Sequence, residues 1–83
     1  MHSSTRVLEI YVELSNEVTL GEFIQHIRKL GMEITDIQND GDGISGNGQR
    51  AFVATLRSPK RRNHLLLIED VRKIKGVIYL EEL

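Results

Sequence analysis

The stretch Arg6-Val7-Leu8-Glu9-Ile10-Tyr11-Val12-Glu13-Leu14 alternates along its whole length. Leu8, Ile10, Val12 and Leu14 fall on one side; Val7, Glu9, Tyr11 and Glu13 fall on the other. Successive side chains of an extended chain point to opposite faces, so this period predicts a half-buried strand. Arg50 to Leu56 reads the same way, with Phe52, Ala54 and Leu56 on one face.

Outward from these strands, Ser15-Asn16-Glu17 predicts a turn. Thr19 followed by Glu22 is a capping box, in which each side chain satisfies a free backbone donor at a helix start. Leu20, Phe23, Ile24, Ile27 and Leu30 follow at helical spacing, and Gly31 stands where a helix stops. Met32 to Gln38 predicts another strand with Met32, Ile34 and Ile37 inward, and Asp40 to Gly48 a polar, glycine-rich loop. Ser58-Pro59 reads as the opening of a second helix, with serine as cap and proline in the first turn. That helix carries Leu67, Ile68, Val71 and Ile74 inward, Gly76 ends it, and Val77 to Leu80 is a last strand.

The predicted order is β-α-β-β-α-β. The two halves echo each other: Arg6, Leu8, Ile10 and Val12 match Arg50, Phe52, Ala54 and Leu56, and Phe23, Ile24, Ile27 and Leu30 match Leu67, Ile68, Val71 and Ile74, all at an offset of 44 positions. This is an α+β, ferredoxin-like sandwich: a four-stranded antiparallel sheet with two helices on one face. Val7, Tyr11, Val53 and Thr55 are expected on the uncovered face. A partly apolar open face on a small domain predicts a partner sheet or a second copy, as in a homodimer.

Composition narrows the function classes. The 83 residues suffice for one domain, expected over residues 6–83, with residues 1–5 a disordered tail or a leftover of cloning. Hydrophobic residues make up 40% and charged residues 28%, with a formal net charge of −1. Such a balance predicts no global attraction to nucleic acid or membrane. With no cysteine, disulfides and thiolate metal sites are excluded. No apolar run reaches the length of a membrane span.

Each chemistry-bearing motif meets an elementary test. Asp40-Gly41-Asp42-Gly43 looks superficially like a calcium loop, but with Gln38 as first position the twelfth is Gln49, where an EF-hand needs a bidentate glutamate. Gly43 to Gly48 lacks the lysine of a phosphate-binding loop and leads into a strand. His2, His26 and His64 have no second ligand one helical turn away, so no metal or other cofactor is expected. No serine has a histidine and a carboxylate beside it, so no catalytic residue is assigned. An acylphosphatase on this fold would need an arginine in the loop after the first strand, where Ser15-Asn16-Glu17-Val18 stands. RNA stacking would need aromatics on the central strands, and Tyr11 alone is expected on the open face. Arg57, Lys60, Arg61, Arg62, Arg72, Lys73 and Lys75 gather around the second helix, three of them expected at its N-terminus. Arg57, Lys60, Arg61 and Arg62 form a candidate patch for an anionic partner such as a membrane surface.

From Asn16 to Ile37 the chain resembles the ACT family of regulatory domains. Leu20 matches that family's leucine, and Gly31-Met32-Glu33-Ile34 its helix end and second strand entry. Glu17-Val18 stand where the family has Pro-Gly, and a β-branched valine restricts the backbone approach that glycine permits. A narrower resemblance is to the cytoplasmic C-terminal domain of the MgtC/SapB family of bacterial inner-membrane proteins. It rests on Leu66-Leu67-Ile68-Glu69-Asp70-Val71 followed by Ile74-Lys75-Gly76-Val77.

These resemblances imply a non-enzymatic regulatory or interaction domain. It would sit on the cytoplasmic side of the inner membrane as part of a longer protein, in a role tied to magnesium limitation or virulence. The alternative is an ACT sensor that binds an amino acid between two copies. Its pocket would lie between Leu14 and Leu20, lined by Glu17, Val18 and Thr19. A small enzyme of acylphosphatase type is the third class.

Overall fold

The computed structural model describes residues 5–44 and 50–83. The elements run β1 (Thr5–Leu14), α1 (Leu20–Lys29), β2 (Glu33–Ile44), β3 (Arg50–Pro59), α2 (His64–Arg72) and β4 (Val77–Glu82). All three strand pairings are antiparallel, in the order β2-β3-β1-β4. This is the expected ferredoxin-like βαββαβ arrangement.

The pair at the centre sets the rest. β1 and β3 stay in register from Thr5 opposite Pro59 to Leu14 opposite Arg50 without a break. Leu8, Ile10, Val12 and Leu14 therefore share a face with Phe52, Ala54 and Leu56, and all are buried. Phe23 and Ile27 of α1 and Leu67, Ile68 and Val71 of α2 close over that face in one continuous core. Fully burying such a side chain contributes about 1.5–3 kcal/mol relative to leaving it in water. The Phe23 and Phe52 rings meet edge-on at 5.7 Å, tying α1 to β3.

α1 begins as expected. Thr19 accepts from the Glu22 amide at 3.0 Å, and the Glu22 carboxylate accepts from the Thr19 amide at 2.8 Å. That backbone donor, followed by the Thr19 hydroxyl contact, holds the Glu22 carboxyl below the usual carboxylate range. The helix ends in a Schellman motif: the Met32 amide donates to Ile27 and the Gly31 amide to Arg28, with Gly31 at φ +84°.

Three expectations are corrected. Ser58-Pro59 closes β3 and does not open α2; Ser58 is buried, and Asn63 is the cap, accepting from the Leu66 amide at 3.1 Å. Proline is tolerated there because it is the last residue of β3, beyond the β2 pairing that begins at Arg57. Lys60, Arg61 and Arg62 consequently lie in the turn ahead of the cap, not in the first turn of the helix. The expected loop from Asp40 is also shorter: β2 continues to Ile44, with an irregular register after Asn39. β1 begins at Thr5, one residue before the expected start. Residues 1–4 and 45–49 lie outside the described residues. His2, Gln49 and most of the Gly43–Gly48 segment fall there.

Replacing Asn63 by Ala should cost about 1 kcal/mol in urea unfolding, the usual worth of such a cap. The pH dependence at Glu22 has a definite sign. A carboxyl held low in the folded state stabilises above its unfolded value and loses that contribution as pH falls. The gap in urea midpoint between the wild type and Glu22→Gln should therefore close below about pH 4.3, the unperturbed glutamate value.

Candidate functional site

The turn between β1 and α1 holds the ligand residues expected from the sequence. The Ser15 amide donates to the Gly76 carbonyl at 2.8 Å, which joins this turn to the link between α2 and β4. The Glu17 amide donates to the Ser15 hydroxyl at 3.0 Å, and the Glu17 side chain is exposed. Thr19 is committed to its capping box. Val18 is buried against Gly76, so closely that a Cβ at Gly76 would overlap the Val18 methyls. Gly76 has φ +93°, a conformation that suits glycine.

Arg50, at the start of β3, reaches into the same turn. Its guanidinium donates to the Ser15 carbonyl at 3.2 Å and to the Val18 carbonyl. The turn is thus filled by its own valine and its carbonyls are held by its own arginine. Two grooves lie elsewhere. One of about 420 Å³ runs along β4, lined by Arg72 and Val77 to Glu81. The other, of about 280 Å³, lies between α1 and β2 and is lined by Ile24, Arg28 and Ile34 to Ile37. Neither includes Glu17, Val18 or Thr19.

The candidate anionic patch does not converge on one point. Arg57 stands opposite Val7 on the uncovered sheet face, where it pairs with Glu33. Arg62 turns inward to the Leu30 carbonyl at the end of α1 and lies 3.9 Å from Asp70. Lys60 and Arg61 remain exposed together.

No helix of the described residues covers the face of the sheet opposite the core. Val7, Glu9, Tyr11 and Glu13 of β1 stand opposite Arg57, Thr55, Val53 and Ala51 of β3. Val7 is 66% exposed and Tyr79 46% exposed. The Tyr11 and Tyr79 rings meet edge-on at 6.0 Å. Each phenol donates to a carboxylate two residues on, Tyr11 to Glu13 and Tyr79 to Glu81, both at 2.6 Å. The bond to Glu81, and the charge of that carboxylate, push the Tyr79 phenol above its ordinary value. Among the described residues, Glu9, Glu13, Glu33, Asp36 and Glu81 stand around this apolar centre, against the guanidinium of Arg57.

His64 joins three elements. Its Nδ1 lies 3.1 Å from an Arg6 guanidinium nitrogen and its Nε2 lies 2.7 Å from Glu82 Oε1. A guanidinium only donates, so Nδ1 accepts and Nε2–H is the donor to Glu82. This is a structural tie of α2 to β1 and β4. Among the described residues, no three ligating side chains gather in a way that could hold a metal ion. No protein-family model and no curated protein sequence matches the chain.

The sequence reading did not assign a role to Arg50 or to His64 beyond its helix. Their partners lie 18 to 58 residues away in the chain, so no local spacing announces them.

Gly76→Ala should destabilise the fold by about 1–3 kcal/mol, because it combines strain at positive φ with overlap of the Val18 methyls. Adding Val18→Ala removes the overlap, so the double variant should lose less than the two single losses together. A double-mutant cycle by urea denaturation measures this.

Proposed function

We propose that this chain is a non-enzymatic regulatory or interaction domain that works through its uncovered sheet face. The observation that carries the reading is the pairing of Tyr11 with Tyr79 beside Val7 and Val53 on a sheet face that no helix covers. Exposed apolar groups clustered on one face favour a partner. The packing of Val18 and the bonds of Arg50 in the β1–α1 turn support this reading over an amino-acid sensor.

We further propose that the domain belongs to an MgtC/SapB-like bacterial inner-membrane protein, on its cytoplasmic side, with a role in magnesium limitation or virulence. The segments behind that resemblance support the reading by their place in the fold. Leu66 to Val71 lies within α2, and Ile74 to Val77 runs from the end of that helix into β4. No helix among the described residues is long and apolar enough to cross a membrane, so a membrane anchor would be supplied by other segments.

A photo-crosslinking residue introduced at position 7 in bacterial cells should give a discrete adduct, while the same probe at Gln25 on α1 should give none. No adduct at position 7, or equal adducts at both positions, overturns the interaction reading. A saturable rise in melting temperature with one amino acid would replace it with the sensor.

A further inference from the structure

The outer face of α2 has the opposite character to the open sheet face. Its inner positions, Leu67, Ile68 and Val71, are spent on the core. The two residues before them are not: Leu65 is 74% and Leu66 64% exposed, in the first turn of the helix. Adjacent leucines facing water at a helix start contribute nothing to the core beneath them. Immediately ahead lie the exposed Lys60 and Arg61. On the same outer surface, seven residues from Leu66, is Lys73, whereas Arg72 turns its guanidinium to the Leu80 carbonyl of β4 at 3.4 Å. The acid that faces this group is Glu69, whose carboxylate accepts from Arg72 at 3.1 Å. Asp70, half-buried, is set against Arg62.

Charge is therefore sorted between the two sides of the molecule. Among the described residues, the uncovered sheet face carries five carboxylates and one guanidinium. Among the described residues, the approach to α2 and its outer surface carry Lys60, Arg61 and Lys73 against Glu69, with Asp70 set against Arg62 and Glu82 against His64. Near a negatively charged plane, such a molecule orients with its helices inward and its sheet face away.

We propose that the outer face of α2 docks on an anionic lipid bilayer. Leu65 and Leu66 enter the boundary between headgroups and acyl chains, while Lys60, Arg61 and Lys73 lie among the phosphates. Apolar side chains flanked by lysine and arginine on one helix face form the pattern of a helix lying in the membrane plane. The attraction of each cation falls off within a Debye length, so the leucines and cations must act together at contact. This surface is separate from the open sheet face, and the proposal stands without the reading given above for that face.

Co-sedimentation of the purified chain tests it, with vesicles of phosphatidylcholine alone and of phosphatidylcholine with phosphatidylglycerol at roughly 70:30. Binding to the anionic vesicles should be at least about tenfold tighter and should weaken as salt is raised. Leu65→Ser/Leu66→Ser and Lys60→Glu/Arg61→Glu should each reduce it by about tenfold or more, with the melting temperature unchanged because all four side chains are exposed. Val7→Lys/Tyr79→Lys, on the opposite face, should bind vesicles like the wild type.

Equal binding to both vesicle types overturns the proposal. So does binding that the leucine variant keeps, which is plain electrostatic adsorption. So does an absence of binding; if light scattering then shows a larger species that the leucine variant loses, the leucines pack against a second copy instead.

Discussion

The structure rests on the one-sided burial of the β1–β3 pair. An unbroken antiparallel register fixes which side chains share a face, because a slip of one residue would turn every buried group outward. With Leu8, Ile10, Val12 and Leu14 committed to the same side as Phe52, Ala54 and Leu56, both helices must pack on that side. No helix of the described residues covers the other, and that second face of the sheet is left to tyrosines, valines and carboxylates.

Charge follows the same division. The carboxylates of Glu9, Glu13 and Glu81 occupy the outward phase of their strands, and the cations of α2 and its approach occupy the outer surface of the helical layer. The near-neutral net charge hides this separation. A molecule of net charge −1 can still present two surfaces of opposite sign, and local sign, not the total, governs contacts within a Debye length. Face-to-face stacking of two uncovered sheets would bring like charges together, whereas a partner with cations would meet complementary ones.

Two arginines lock the ends of the helical layer. Arg50 holds the Ser15 and Val18 carbonyls where β1 turns into α1, and Arg62 holds the Leu30 carbonyl where α1 ends. Carbonyls at chain reversals and helix ends lack partners within their own element. A guanidinium with its fork of donors supplies them from a distant segment. At the same end, the Gly76 backbone and the Val18 side chain lie so close that neither can change alone. The turn between β1 and α1 is a packed junction.

The periodicities of the sequence by themselves determined the element order, the buried face of each strand and the capped start of α1, since all of these depend on neighbours within a few residues. The leucine pair of α2 was given no face from the sequence; its exposure follows from Leu67, Ile68 and Val71 taking the core. Local signals failed where two structures suit the same residues. Ser-Pro serves a strand end as well as a helix start, and pairing with Thr5 decided between them. Only the tertiary structure decided that Val18 and Arg50 fill the β1–α1 turn, that Arg57 and Lys60 fall on different surfaces, and that acids and bases separate across the sheet. Those outcomes depend on contacts between segments far apart in the chain, and the register of β1 on β3 brings those segments together.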